Sequence, residues 1–385
     1  MPVVDMISLW RIHHVCLRVG ELEEAAHRWS IQLGLTVRSL SSDRALLACD
    51  YEPYSLELIA AAGRPPGHDH TGWELAEGIS LQDASADLRA RGVQHALREG
   101  SLHLSDPDGA GLELVEFVAD EDPRPAIARS TTTLPGFHPR KLGHVNFLTA
   151  DLARATEFYC DVLGMRLTDR LGEEGNWLHI NRDHHALALV GKGYAHLHHL
   201  AFELVDWGEL RVALDHLAQH GRWLGWGPVR HGIGRNLAAY VRIPEEECFV
   251  ELFCDMEQLQ DGHRPRTWPD NAHSSNTWGI LPPRSYFRFD ELAVRWEREG
   301  REALGQPLPP QAEGSPQAEG SPQAEGSPQA EASLQAGSDQ GRPQPAPSRE
   351  RPPQPQRPDQ DRSQRRPPAH APAHDGEQTP AGGRR

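Results

Sequence analysis

The spacing of apolar residues changes its period within residues 141–165. After His144, the apolar Val145 and Phe147 flank the polar Asn146, which is the two-residue period of a strand. Apolar residues then recur every three or four positions, the period of a helix with one buried face, at Leu152, Ala155, Tyr159 and Leu163. The pattern predicts a strand followed by a helix.

Both ends of this helix carry recognisable signals. Asp151 stands just before the periodic residues, where a side-chain oxygen can accept a hydrogen bond from a free backbone N–H. Gly164 follows them, where a left-handed residue commonly ends a helix.

Residues 11–35 repeat the pattern of residues 141–165 at a constant offset of 130. Two amphipathic helices can resemble each other by coincidence, but the shared His before the first strand argues against it. The matching pairs are His14 and His144, Leu22 and Leu152, Ala25 and Ala155, Trp29 and Tyr159, Leu33 and Leu163, and Gly34 and Gly164.

Each copy also contains a weaker internal repeat of this pattern, at residues 70–92 and 198–221. Each stretch again reads as a strand and then a helix that ends near a glycine. The simplest account is an α+β protein of four βαβββ modules arranged as two tandem domains.

The C-terminal part of the chain has a different composition. From about Gly305 the sequence consists mainly of Gln, Pro, Ala, Glu, Gly and Ser, and QAEGSP occurs three times from Gln311 onward. Such a segment buries too little apolar surface to offset its ordering entropy. We predict a disordered low-complexity tail over residues 305–385 that acts as a solvated tether.

Charge and cysteine usage narrow the class of protein. A net charge of −16 disfavours a nucleic-acid binder, which needs a basic face. The five cysteines are widely spaced, so we expect reduced thiols. The chain shows neither a secretory signal at its start nor an apolar run long enough for a membrane span. We therefore expect a cytoplasmic protein with no membrane partner.

Five segments of the second half together carry a family resemblance: LGHVNF (142–147), RDHHALAL (182–189), LHHLAFE (197–203), GPVRHG (227–232) and AAYVRIPEEECFVELF (238–253). Over residues 8 to about 290 the chain resembles the type I extradiol dioxygenases of the vicinal oxygen chelate superfamily. The resemblance implies a non-catalytic domain at 8–120, a linker at 121–140, a catalytic domain at 141–256 and a capping extension at 257–304.

The resemblance implies that His144, His199 and Glu251 bind Fe(II), with Mn(II) as the other candidate. Two imidazoles and one carboxylate form a facial triad, which leaves positions for both catechol oxygens and for O2. The implied function is extradiol cleavage of a catechol by O2, in aromatic compound catabolism, by an enzyme of the catechol 2,3-dioxygenase type. We also expect a homo-oligomer.

The resemblance further implies acid–base and orienting roles for His184, His231 and Tyr240. His184 would hydrogen-bond oxygen and deliver a proton, while its neighbour His185 would face the other side of the strand. Asn146 would lie beside the substrate.

Two departures from the family pattern bear on these assignments. The turn before Glu251 is one residue longer than in many relatives and lacks their glycine, and we interpret Glu245, Glu246 and Glu247 as a solvated turn. Trp226 stands where homoprotocatechuate-type relatives often have an Arg that binds a carboxylate. We therefore expect a substrate with a less charged or bulkier ring substituent, and we expect Arg264 and Arg266 to be surface residues.

In the first half, His14, His70 and Glu113 occupy the positions of the implied ligands. The counterpart of His184 is Ser55 and that of Tyr240 is His103, so the acid–base residues are missing. We expect a vestigial, empty site there.

Two other functions remain open at this point. A non-catalytic binding member of the superfamily would be expected to lack both the triad and the acid–base residues. A glyoxalase-like isomerase or thiol transferase would normally complete a four-ligand site across its modules and lack the trio of His184, His231 and Tyr240.

Overall fold

A computed structural model describes residues 7–119, 136–222 and 224–290, together with residues 292, 293, 295, 297 and 299. In the first half the elements are β1 (Leu9–Val19), α1 (Leu22–Leu33), β2 (Thr36–Leu40), β3 (Arg44–Ala48), β4 (Leu56–Ala60), β5 (Gly67–Leu75), α2 (Leu81–Ala90), β6 (His95–Arg98), β7 (Ser101–Ser105) and β8 (Gly111–Val115).

The second half follows the same order. Its elements are β9 (Lys141–Thr149), α3 (Leu152–Glu157) with a π-helical turn (Phe158–Val162), β10 (Arg166–Leu171), β11 (Gly175–His179), β12 (Leu187–Gly191), β13 (His196–Glu203), α4 (Trp207–Gln219), β14 (Leu224–Arg230), β15 (Leu237–Ile243), a 3-10 turn (Pro244–Glu246) and β16 (Cys248–Cys254). The segment that follows contains β17 (Arg266–Trp268), α5 (Ala272–Ser275) and a 3-10 turn (Arg284–Phe287).

The strands of each half form one mixed sheet. Within the described residues the strand order is β2-β3-β4-β1-β5-β8-β7-β6 in the first half, and β10-β11-β12-β9-β13-β16-β15-β14 in the second. The second sheet gains β17, which pairs parallel to β10 at its edge. The predicted α+β fold of two tandem domains, each of two βαβββ modules, is confirmed.

The two modules of each half join at the centre of the sheet. β1 pairs antiparallel with β5, and β9 pairs antiparallel with β13. The strand β8 then lies beside β5, and β16 lies beside β13. Each half therefore has three adjacent central strands, which come from distant parts of the sequence.

The predicted helix ends are confirmed. The Asp151 side chain accepts a hydrogen bond from the Arg154 backbone N–H at 3.1 Å, and Gly164 has a left-handed φ of +72°. The equivalent Gly34 ends α1 with φ +74°. The buried side chains of α1 follow the predicted spacing: Leu22, Ala25, Ala26, Trp29 and Leu33.

Side chains also tie the two halves together. The Tyr159 hydroxyl donates to Asp106 Oδ2 at 3.0 Å, and the Leu142 backbone N–H donates to Glu52 Oε2 at 2.9 Å. Arg28 on α1 forms an ion pair with Glu246 in the turn before β16. Glu246 is therefore buried rather than solvated, which corrects that part of the prediction for residues 245–247.

Three predictions concern chain segments and thiols. All five cysteines are described and none is in a disulfide, as predicted. No helix among the described residues is both long and apolar enough to cross a membrane. Most of the predicted linker 121–140 and the whole predicted tail 305–385 lie outside the described residues.

Gly164 is a sensitive point of the fold. A Cβ there would lie 2.1 Å from the Ile7 carbonyl oxygen, whereas a Cβ on Gly193, at φ +78°, would meet nothing within 4 Å. We predict that Gly193→Ala lowers the free energy of unfolding by about 1 kcal/mol, the cost of a left-handed Ala, and that Gly164→Ala lowers it by roughly 1–3 kcal/mol more. Urea unfolding followed by circular dichroism measures both. Equal losses would show that Ile7 does not constrain Gly164.

Candidate metal centre and active site

Three side chains converge on the central strands of the second sheet. His144 lies on β9 and Glu251 on β16, and both pair in register with Ala201 of β13, which places them in one cross-strand row. His199, on β13, lies opposite Asn146 of β9. The Nε2 atoms of both imidazoles lie 3.1 Å from Glu251 Oε2. The structure thus brings together the three predicted ligands.

The residues present fit a divalent ion. Two ligand atoms about 2.1 Å from one metal lie about 3.0 Å apart when they are cis in an octahedron, close to the observed separations. His199 Nε2 is buried and has no hydrogen bond of acceptable geometry among the described residues, although Glu251 is close. Because an unpaired buried polar atom is costly, this nitrogen is better explained as a ligand.

Glu251 is oriented by a neighbour that the sequence did not indicate. Asn236 Nδ2 donates to Glu251 Oε1 at 2.8 Å, which leaves Oε2 for the two imidazoles. Burial raises the pKa of Glu251, but His144 and His199 outweigh it and hold that pKa well below its usual range. Burial lowers the pKa of His199. The carboxylate is therefore ionised, and the neutral imidazole nitrogen can act as a ligand.

A cavity of about 270 Å³ opens over the three ligands. Its wall is largely aromatic and apolar, and residues from the segment after β16 close one side of it. The wall includes Trp177, Ala188, Trp226, Ile233, Leu281, Pro282, Tyr286 and Phe287. Such a site suits a flat, mostly apolar ligand with a few polar groups.

His231 and Tyr240 form a hydrogen-bonded pair on the cavity wall. His231 Nε2 lies 2.7 Å from the Tyr240 hydroxyl, and His231 Nδ1 lies 2.7 Å from the Ser275 carbonyl oxygen. A carbonyl only accepts, so Nδ1 carries a proton. Burial lowers the pKa of His231, which leaves Nε2 free to accept the Tyr240 proton.

The predicted orientations of His184 and His185 are wrong, because the structure reverses them. His185 lines the cavity, with its ring centroid 4.3 Å from that of His144. His184 is fully buried behind the wall, and its Nε2 lies 3.0 Å from Asp169 Oδ2. Both residues precede β12 in an irregular segment, so the alternation of a strand does not apply to them.

The two predicted substrate-binding residues both line the cavity. Trp226 stacks on Tyr240 at 5.3 Å and an interplanar angle of 20°, and its Nε1 donates to the Ile280 carbonyl oxygen at 3.2 Å. The buried Asn146 Oδ1 has no hydrogen-bond partner among the described residues. An acceptor of this kind suits a ligand hydroxyl.

The predicted capping extension is anchored on both sides of the cavity. Arg266 of β17 bonds Asp169 and Glu257, so it is a structural residue rather than a free surface arginine. At the other end, the backbone carbonyl of Tyr286 accepts a hydrogen bond from His198 Nε2 at 2.9 Å.

Comparison with known proteins places this geometry in a family. Residues 141–246 match the model of the Glyoxalase/Bleomycin resistance protein/Dioxygenase superfamily. Metapyrocatechase 2 of Cupriavidus necator is 33% identical over 40% of this chain, and the match spans only 48% of that relative. Metapyrocatechase of Geobacillus stearothermophilus is 24% identical over 74% of this chain and 94% of its own.

A solved structure shares the fold. Homoprotocatechuate 2,3-dioxygenase from Brevibacterium fuscum, in its anaerobic substrate complex, aligns with a TM-score of 0.65 at 20% identity, over 74% of this chain and 93% of its own. The match of residues 141–246 to the superfamily model and the likeness to the metapyrocatechases confirm the resemblance of the chain to the type I extradiol dioxygenases, and the solved structure confirms the fold.

Proposed function

We propose that this chain is an extradiol dioxygenase that opens the ring of a catechol with O2. The observation that carries the proposal is the facial arrangement of His144, His199 and Glu251 beneath a cavity that all three help to line. Because all three side chains line the cavity, an ion that they hold would be open to small molecules from that cavity.

His144, His199 and Glu251 would hold Fe(II), or Mn(II), since two imidazoles and one carboxylate suit either ion better than a thiolate-preferring one. The metal would supply Lewis acidity and a redox centre at which a catechol and O2 can meet. Both oxygen atoms enter the product, so the reaction needs no external reductant.

The wall residues of the chain would place and deprotonate the catechol. Trp226 and Tyr240 stack on each other, and both line the cavity. Burial raises the pKa of Tyr240 well above its usual value, so its hydroxyl stays protonated. While that hydroxyl donates to His231 Nε2, its oxygen can accept a hydrogen bond from a substrate hydroxyl. His231 Nε2, next to that hydroxyl, is positioned to receive a proton from the pair.

On the opposite side of the ligands, His185 takes the acid–base role that the sequence assigned to His184. Burial lowers the pKa of His185 well below its usual value, with His144 adding to the effect, so the imidazole is neutral. A neutral imidazole at the cavity can hydrogen-bond oxygen and pass a proton to it. Its Nδ1 lies 3.1 Å from His184 Nδ1, which makes His184 a positioning residue.

The cavity wall favours a catechol with an uncharged ring substituent. Tryptophan occupies position 226, and Leu281 and Pro282 of the capping extension lie near it on the same cavity. Lys192 lies in the cavity wall and pairs with Glu174 at 3.1 Å, so a substrate carboxylate would have to compete with Glu174 for this cation. The oligomeric state and the cellular compartment stay predictions.

We predict that His199→Ala abolishes ring cleavage and removes the metal from this site, because a two-ligand site cannot hold the ion in the same geometry. Anaerobic loading with Fe(II) followed by metal analysis and assay of the yellow ring-fission product measures both effects. His196→Ala, three residues earlier on the same strand and outside the cavity, is the matched control and should keep activity. Wild-type activity in His199→Ala would refute the ligand assignment.

A second prediction distinguishes the role of His185 from that of its neighbour His184. His185→Asn should retain the metal and lower kcat by about 10²-fold or more, the usual size of a lost acid–base group. His184→Asn should cause a much smaller loss, because it acts only through its neighbour and Asp169. If His184→Asn lowers kcat more than His185→Asn does while its metal content is normal, His184 rather than His185 has the acid–base role.

The third prediction concerns substrate choice. We expect a higher kcat/KM for 3- or 4-alkylcatechols than for 3,4-dihydroxyphenylacetate, because burying an unpaired carboxylate is costly. Initial rates of ring-fission product formation across such a panel make the comparison. A preference for the carboxylated catechol would contradict this substrate class.

A further inference from the structure

The first half of the chain contains a second convergent cluster, made of His14 on β1, Glu57 on β4, His70 on β5 and Glu113 on β8. We propose that these four side chains bind a divalent transition-metal ion, in a site separate from that of the second half. Three of the four were identified from the sequence and expected to form an empty, vestigial site. Glu57 was not identified at all.

The ligand atoms of His14, His70 and Glu113 all lie within 4.8 Å of one another, and Glu57 belongs to an overlapping group with His70 and Cys16. His14 Nε2 lies 3.1 Å from His70 Nε2, 3.2 Å from Glu113 Oε2 and 3.4 Å from Glu57 Oε2. His70 Nε2 lies 3.3 Å from Glu113 Oε2 and 3.9 Å from Glu57 Oε2. For ligands about 2.1 Å from a metal, separations of about 3.0 Å (octahedral, cis) to about 3.4 Å (tetrahedral) are expected. Four of the five distances lie in that range.

The cluster is buried enough to bind an ion and open enough to load one. The His14 side chain is fully buried and that of Glu57 is 8% exposed, while His70 and Glu113 are each 14% exposed. Arg44 offsets part of the charge of Glu57, and a divalent ion would offset the remaining negative charge that Glu57 and Glu113 direct at the two imidazoles.

Three of the four proposed ligands also have a partner that fixes their orientation, as protein metal sites commonly require. His70 Nδ1 lies 3.1 Å from Asp69 Oδ2. Arg44 Nε lies 2.7 Å from Glu57 Oε1, which turns Oε2 toward the imidazoles. The Ser101 hydroxyl donates to Glu113 Oε1, which likewise frees Oε2.

The His14 ring occupies space that only a glycine leaves open. A Cβ on Gly72 would lie 2.3 Å from His14 Cε1 and Nδ1. Gly72 is the β5 residue that pairs with both His14 and Glu113, so it sits in the middle of the ligand row. The backbone thus accommodates the imidazole in its inward position.

Glu57 distinguishes this site from the one in the second half. Glu57 pairs with Cys16 on the neighbouring strand, and the residue in the same place of the second sheet, opposite Asn146, is Ala188. The first site therefore has two carboxylates and the second has one. A fourth protein ligand leaves too few open positions for a catechol and O2 together, so this ion would not support ring cleavage.

Nitrogen and carboxylate ligands indicate a first-row divalent ion such as Mn(II), Fe(II) or Zn(II). Mn(II) is the most useful probe because it is detected directly by electron paramagnetic resonance. The proposal does not depend on the function of the second site, since metal content rather than activity is measured.

The test counts Mn(II) bound to the full-length chain after anaerobic removal and reloading of metal. The wild type should bind two ions per chain, His199→Ala one, and the double variant His199→Ala/His70→Ala none. One ion in the wild type and none in a folded His199→Ala protein would overturn the proposal. The proposal would also be overturned if the His70→Ala variant still bound two ions per chain.

Glu57 is tested in the His199→Ala background, where only the first site can bind. Glu57→Gln should weaken Mn(II) binding at least about tenfold, whereas Glu23→Gln, on the exposed face of α1, should leave it unchanged. Circular dichroism confirms that each variant folds. Should the double variant fail to fold, the number of ions bound by the wild type and the Mn(II) affinity of Glu57→Gln still test the proposal. An unchanged affinity would exclude Glu57 as a ligand.

Discussion

The second half of this protein depends on one buried carboxylate. Glu251 is 1% exposed and lies against two imidazoles that are themselves almost fully buried. Removing a carboxylate from water costs several kcal/mol unless charge and hydrogen bonds compensate. Here His144, His199 and Asn236 provide that compensation, and each comes from a different strand or loop. The sheet must therefore be completely paired at its centre before the site can exist.

The tandem repeat explains how the centre is built. Each half pairs the first strands of its two modules, and that pairing places three ligand positions side by side on neighbouring strands. Among the differences between the two halves is a glutamate on β4, Glu57, where β12 has an alanine, Ala188. In the second half, Ala188 lines the cavity above the three candidate ligands. One carboxylate changes both the charge and the open positions in the first.

Much of the fold could be predicted from the sequence because the apolar residues are periodic and the pattern is repeated. The four modules followed from strand and helix periods, and the candidate ligands His144, His199 and Glu251 followed from the family resemblance, supported by the equivalent strand positions of the two histidines. Glu57 could not be found this way, since its counterpart is Ala188 and no repeat marks it. His185 was missed because it precedes β12, where strand alternation does not hold. Asn236 contacts Glu251 through tertiary structure that local patterns do not encode.

The short strand β17 has a mechanical consequence. Asp169 is fully buried, and its Oδ2 accepts hydrogen bonds from Arg266 and Trp268 of β17 as well as lying against His184. Burial raises the pKa of Asp169, but these partners outweigh it and lower the pKa to about 2. Moving β17 away from the sheet would leave the buried Asp169 carboxylate without two of its hydrogen-bond partners. This end of the capping extension is therefore held firmly in place. Further along the chain, the same extension contributes Ser274, Leu281 and Phe287 to the cavity wall, so the buried charge of Asp169 helps to hold that wall in place.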